Sequence, residues 1–433
     1  MRCDLCHWAM CWLAHIGYQF SSYPICRQFK LASLNMEYDF DTIVPRRGTD
    51  CEKWDSPEDG VLPLWVADMD FRAAPAIVDA LRRRVDEGVF GYALPPSSWH
   101  ESLVRRLARR HELKVEPRSI LDATGVVPAL VATIRAFCKP GDRVVIQAPA
   151  YNCFYTAIRD QGCEVVENRL RRIAVREGTE GDFSYEMDFE DLEQKVADPR
   201  TRLFLLSNPH NPVGRAWRAD ELRRVGDICQ RHGVFVASDE IHADLQMPDS
   251  RHVPFASLGG DFAQNSATFW SASKAFNLAG LQTAEVICGN AEARERIRHA
   301  LRANRTGELN AFGFVASKVT WDDCEGWLDE LRTYLHGNYS ALLAFVRKRL
   351  PALRVASLEA TYLAWVDISA LNVPSAELAR RLEQEAKVKF SPGAIYGEEK
   401  GATYLRINLA CSRTTLLEAL ERTASFINGL KRK

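Results

Sequence analysis

The sequence predicts an α/β fold, with a large domain on a mostly parallel seven-stranded sheet and a smaller α+β domain after it. Three observations predict it. Seven short apolar runs recur between residues 119 and 288. Helical patterns separate several of them. The runs are apolar on nearly every residue, as in strands buried on both faces, and do not alternate as half-exposed strands do.

Taken in order, the strand candidates are Ser119–Asp122, Arg143–Ile146, Cys163–Glu167, Arg202–Leu206, Val234–Ser238, Thr268–Trp270 and Glu285–Cys288. Val126 to about Phe137 reads as a helix, and Cys138-Lys139-Pro140-Gly141 is its exit turn. Asp220–Arg231 reads as another, with acid at its start and base at its end, matching the helix dipole. After Trp321 a long helical pattern, Asp322–Leu350, is closed by Pro351. The smaller unit follows, with strands near Leu353–Val355, Tyr362–Val366 and Tyr404–Leu409, and Thr414–Leu430 as an amphipathic last helix. The expected division is 91–320 for the large domain and 321–433 for the small one, with 36–90 contributing to the small one. Residues 1–35 are rich in Cys and aromatics without caps or periodicity, and Met36 reads like a natural start. They are expected to be a non-native or disordered extension; a signal peptide is the second reading, weakened by Asp4 and the absence of a clear cleavage site.

The chain has 433 residues, 46% hydrophobic and 26% charged, with a net charge of −1. That balance gives no reason to expect a nucleic acid or a membrane surface as partner. No apolar run approaches the roughly 18 residues of a spanning helix. The twelve cysteines are scattered through apparent helices, strands and turns, apart from four near the N-terminus. They read as free thiols in a reducing compartment, which points to a cytoplasmic protein. Cys3 and Cys6 form a lone CxxC with no second pair at zinc spacing, so no metal site is expected.

Ser271-Ala272-Ser273-Lys274 follows a buried strand. A lysine there can be desolvated, which lowers its pKa and makes it a usable amine nucleophile, and small hydroxyls beside it can hold a phosphate. By itself a surface lysine is the commoner explanation. Asp239 ends the Val234–Ser238 strand, at the carboxyl edge where open α/β sheets bind ligands. Its commonplace reading is a helix cap. The two together point to pyridoxal phosphate (PLP), whose chemistry needs a lysine amine and a carboxylate on the pyridine nitrogen. Asn208-Pro209-His210-Asn211-Pro212-Val213-Gly214 makes a rigid irregular turn, from which an amide could reach the cofactor's phenolic oxygen. Thr124-Gly125-Val126-Val127-Pro128 opens a helix whose free N–H groups could hold a phosphate, although many strand–helix turns look the same. Tyr151 could stack on a pyridine or be a core aromatic. Arg406, inside an apolar strand, needs a partner, either a substrate carboxylate or a structural Asp or Glu.

In this order the motifs resemble the fold type I PLP enzymes, the aspartate aminotransferase superfamily, from roughly Met36 to the C-terminus. Within it the chain resembles the MalY/PatB-type carbon–sulfur lyases, on the segments Pro63–Phe71 (Trp-Val-Ala-Asp-Met-Asp-Phe), Phe90-Gly91-Tyr92, Ser207–Gly214, Ser238-Asp239-Glu240-Ile241-His242, Ser273–Leu281 and Tyr362-Leu363-Ala364-Trp365. The resemblance implies that Lys274 carries PLP and acts as acid and base at the substrate Cα. It implies that Asp239 pairs with the ring nitrogen, Asn211 reaches the phenolic oxygen, Tyr151 stacks on the ring, and His242 lies beside it. The phosphate would be held by Gly125, Val126, Ser271, Ser273 and a second subunit's Tyr92, making the protein a homodimer with shared sites. Arg406, with Tyr92 at the same site, would bind the α-carboxylate of a small amino-acid substrate. Two departures from typical aminotransferases stand out. His242 occupies their tyrosine position, and Gln282 occupies the place of their phosphate-binding arginine. Both fit the lyase branch as the resemblance has it. The implied reaction is α,β-elimination on L-cystathionine or a related L-cysteine S-conjugate, giving a thiol, pyruvate and ammonia. The alternatives are an aminotransferase and a PLP-binding regulatory protein.

Overall fold

Side-chain alternation along one strand shows how the sheet is buried. In Thr201–Ser207, Leu203 and Leu205 join the hydrophobic core on one face, and Phe204 and Leu206 join the core on the other. The structure, a computed structural model, describes residues 36–175, 180–397 and 401–430. The expectation for residues 1–35 falls outside them. Contacts separate Met1–Glu37 from Tyr38–Lys433, and the architecture below belongs to the second unit.

After a single helical turn at Glu52–Asp55 come two longer helices, α1 (Pro75–Asp86) and α2 (Ser98–His111). There follow β1 (Ile120–Ala123), α3 (Val126–Phe137), β2 (Arg143–Ala148), α4 (Asn152–Arg159) and β3 (Glu164–Arg169). Next are α5 (Phe189–Val196), β4 (Thr201–Ser207), α6 (Ala219–Arg231), β5 (Phe235–Asp239), β6 (Ser266–Trp270), β7 (Ala284–Ile287) and α7 (Ala291–Ala303). The strands form one seven-stranded sheet in the order β1-β7-β6-β5-β4-β2-β3. Only β7 runs against its neighbours, antiparallel to both β1 and β6. Helices α3, α4 and α7 cover one face through residues such as Leu130, Ile158 and Ile297. Helices α5 and α6 cover the other through Leu192, Leu222 and Val225. The strands whose carboxyl ends meet therefore gather their following turns at one edge.

The chain continues with α8 (Ala311–Asp323), α9 (Glu325–Arg349), β8 (Arg354–Val355), β9 (Leu363–Asp367), β10 (Ser391–Pro392), β11 (Tyr404–Asn408) and α10 (Arg413–Leu430). The four strands form an antiparallel sheet in the order β8-β9-β11-β10. One expectation is corrected. The pattern read as a single helix from Asp322 to Leu350 is broken at Cys324, whose φ of −112° and ψ of 22° leave the helix, so Asp322 and Asp323 close α8 and a new helix starts at Glu325. The apolar pattern runs through the break because both helices bury a face there, with Trp321 and Trp327 on either side of it.

The described cysteines are all free thiols. Among the described residues no helix is long and apolar enough to cross a membrane.

Candidate active site

The turns after β1, β2, β4, β5 and β6 enclose a cavity of about 460 Å³. Its wall contains Gly125, Val126, Tyr151, Asn211, Asp239, His242, Ser273, Lys274 and Arg406. Nine of the residues singled out in the sequence thus meet at one place, although they span residues 125 to 406. Two others stand elsewhere. Ser271 is buried behind Ser273, with its Oγ 2.8 Å from the Ser273 Oγ and 2.6 Å from the Thr283 carbonyl. Tyr92 is fully exposed and lies outside the cavity of its own chain.

Lys274 sits in the turn four residues beyond β6. Its Nζ donates to the Ala67 carbonyl at 2.9 Å. Removal from water lowers its pKa, and the Arg406 guanidinium adds to the effect, while Asp68 and Asp239 oppose it. Asp239 is the last residue of β5, opposite Ser207 of β4. It is buried, and Oδ1 accepts from the Ile241 N–H at 3.1 Å. Burial pushes its pKa up to about 7. A nearby cationic donor would restore the carboxylate, which is what a protonated ring nitrogen offers.

The turn that carries Asp239 and His242 is anchored from below. Glu240 accepts from Ser238 Oγ at 2.7 Å and from the Phe255 N–H at 2.9 Å, and lies 2.8 Å from His252 Nε2. Asp244 pairs with Arg106 and His111, both at 2.8 Å. His242 itself is buried with no hydrogen-bond partner for Nδ1. Burial, then the charges of Lys274 and Arg406, lower its pKa to about 3, so it is neutral at pH 7.

Arg406 projects from the middle of β11, between Trp365 of β9 and Ser391 of β10. Nη1 donates to Asn211 Oδ1 at 3.1 Å and Nη2 to the Trp65 carbonyl at 2.9 Å. The guanidinium lies 4.7 Å from the centre of the Tyr396 ring. Among the described residues it has no carboxylate partner, and Nε makes no hydrogen bond. The structural Asp or Glu that one reading of a buried arginine called for is not found among the described residues.

Helix α3 begins at this cavity without a capping side chain; Gly125 holds its N-cap position in an extended conformation. Val126, Val127 and Pro128 of its first turn line the same cavity as Ser273, and the free N–H groups of a helix start suit a phosphate. Gln282 is also in the wall, with a φ of 53°. An uncapped helix start, a buried carboxylate, a desolvated lysine and an arginine with no carboxylate partner among the described residues fit PLP and an amino acid together. Sequence reasoning gave no role to Trp65, Ala67, Cys153 or Tyr396, which also line the cavity. Trp65 and Ala67 lie in a family-like segment that could have raised them; Cys153 and Tyr396 gave no signal.

This fold and this constellation define a type I PLP-dependent enzyme. The chain belongs to the class I and II aminotransferase family, whose model matches residues 60–422. It is 42% identical over 394 residues to the cystathionine beta-lyase PatB of Bacillus subtilis, covering 90% of this chain and 100% of that one. It is 32% identical over 406 residues to the protein MalY of Escherichia coli, covering 91% and 99%. It superposes on the crystal structure of cystalysin from Treponema denticola, which contains a pyridoxal 5'-phosphate cofactor. The TM-score is 0.86 at 32% identity, covering 91% of this chain and 100% of that one. The cofactor of this chain is PLP.

Proposed function

We propose that the protein is a carbon–sulfur β-lyase that cleaves L-cystathionine or a related L-cysteine S-conjugate to a thiol, pyruvate and ammonia. The observation that carries an amino-acid substrate is the buried Arg406 with no carboxylate of its own, beside Lys274 in one cavity. The similarity to a protein named as a cystathionine beta-lyase supports the sulfur chemistry, as do neutral His242 and Gln282 at positions where aminotransferases carry tyrosine and arginine.

Bound PLP supplies a sink for the electrons left at the substrate Cα. Gly125, Val126 and Ser273 would hold its phosphate, Asp239 its ring nitrogen and Asn211 its phenolic oxygen, with Tyr151 against the ring and Lys274 as the covalent attachment. Ser271 positions Ser273. Arg406 binds the α-carboxylate through its two outer nitrogens. Lys274, once the substrate amine has displaced its own and as a weaker base than a surface lysine, would take the Cα proton and could return one. The Cβ–S bond then breaks, the electron pair leaving with sulfur as the thiolate, and water releases pyruvate and ammonia from the remainder. His242 stays neutral and adds no further cation beside Lys274 and Arg406. Exposed Val89, Phe90, Tyr92 and Leu94 form an apolar run; we assign it to a homodimer interface that brings Tyr92 to the partner's phosphate and substrate.

The test is product analysis with L-cystathionine. The lyase releases one thiol and one pyruvate per turnover with no 2-oxo acid added as co-substrate. Amino transfer to an added 2-oxo acid, with no thiol, overturns the reading in favour of an aminotransferase.

A further inference from the structure

The segment Trp65–Met69, whose first three residues line the cavity with Lys274 and Arg406, has its backbone carbonyls taken up one after another by side chains. The Trp65 carbonyl accepts from Arg406 Nη2 at 2.9 Å and Ser391 Oγ at 2.7 Å. Asn408 Nδ2 donates to the Val66 and Asp68 carbonyls, both at 2.7 Å. The Ala67 carbonyl, between those two, receives Lys274 Nζ at 2.9 Å. Lys53 Nζ donates to the Asp68 carbonyl at 2.9 Å. Asn277 Nδ2 donates to Met69 at 3.1 Å, and its Oδ1 accepts from the Met69 N–H at 3.2 Å. Apart from Lys53, the donors come from both sheets. Lys274 and Asn277 follow β6, whereas Ser391, Arg406 and Asn408 belong to β10 and β11.

Five successive carbonyls engaged in this way are more than a turn needs. Backbone carbonyls are neutral acceptors that can hold a cation without neutralising it. We propose that Trp65–Met69 is a strap that sets the positions of the Lys274 amine and the Arg406 guanidinium for one substrate, and that Asn408 and Asn277 are the positioning residues that hold it. Asn408 grips the carbonyls on either side of Ala67, so it fixes the acceptor of the Lys274 amine. Its own Oδ1 is held by the Ala410 N–H at 2.7 Å, which orients the amide.

The charged and titratable groups around the Lys274 amine are Asp68 on the strap, Asp239 on β5, His242 beyond it, Arg406 on β11 and Cys153 on α4. None of them is changed by replacing Asn408. Loss of the Ala67 acceptor, with Asp68 carried on the same released strap, then destabilises the ammonium, so the Lys274 pKa falls further below its ordinary value. A loosened fold would not do this, because admitting water would raise it.

The inference rests on Lys274 as the cofactor-bearing amine, not on the sulfur chemistry. It is tested on the full-length protein freed of PLP, by the rate at which it recaptures PLP, fixed with borohydride and mapped to Lys274, as a function of pH. Only the neutral amine attacks. The acid limb of the rate profile is expected to move down by about one pH unit in Asn408→Ala, a tenfold change in proton affinity. Asn277→Gly, which keeps the left-handed backbone of Asn277 (φ 59°), is expected to move it in the same direction, and serves as the deciding variant if Asn408→Ala does not fold. An unmoved limb in a folded variant, or a rate that drops by the same factor at every pH, overturns the strap. A wild-type label that does not map to Lys274 overturns the lysine assignment itself, and the strap with it.

Discussion

Replacing Glu285 by glutamine is expected to leave stability unchanged in acid and to increase it progressively above about pH 5. Glu285 lies on β7, opposite Asp122 of β1 and Trp270 of β6. It is fully buried, and neither carboxyl oxygen has a hydrogen-bond partner. Burial raises its pKa well above 4.5, and the Asp122 carboxylate adds to the shift. The folded protein therefore keeps this proton while the unfolded chain loses it. The group's contribution is fully present below the unfolded value of 4.5 and is lost as pH rises toward the folded value. The slope is about 1.4 kcal/mol per pH unit in that window. Glutamine has nearly the same shape and does not ionise, so the difference between the two proteins starts near zero and grows with that slope. Urea unfolding of both at pH 4.5, 5.5, 6.5 and 7.5 measures it. The His100 contact of Asp122, at 2.8 Å, is common to both proteins and cancels. A difference that does not change with pH, or a glutamine variant that is less stable at pH 7.5, refutes the reasoning.

Two further outcomes are expected. Arg406→Lys keeps the charge but loses the forked pair of donors, so KM for the amino-acid substrate rises about 10- to 100-fold with kcat changed much less; steady-state kinetics checks it, and a fall in kcat alone contradicts it. Arg215→Met removes the fully buried guanidinium that pairs with Glu221 at 2.8 Å and Glu359 at 2.9 Å, and leaves Glu221 with Arg218 at 3.6 Å as its cation. Stability falls by about 3–5 kcal/mol, read from the urea midpoint; an unchanged midpoint contradicts it.

The large sheet was legible because its strands are buried on both faces, and such runs need no long-range information to be seen. Helix α3 was read with its observed ends, since Gly125 before it and Lys139-Pro140-Gly141 after it are strong local signals. The small sheet was less legible. Strand β10 is two residues long and contains Pro392, which reads as a breaker. The hairpin of Arg171–Ile173 with Ser184–Glu186 is largely polar and gave no apolar run. In the site, Lys274, Asp239 and Asn211 could be placed because each follows a strand at the carboxyl edge. Arg406 could be singled out as buried but its partner could not, because the absence of a carboxylate is a fact about neighbours up to 341 positions away, such as Trp65. The strap contacts were invisible for the same reason, as they use backbone carbonyls and carry no residue signature.

The most direct test of the account is the attachment point of the cofactor. The protein loaded with PLP is reduced with borohydride, digested and mapped by mass spectrometry. The account predicts one pyridoxyl group per chain, on Lys274, and none in Lys274→Ala. A label on another lysine, or an undiminished label in the Lys274→Ala protein, contradicts it.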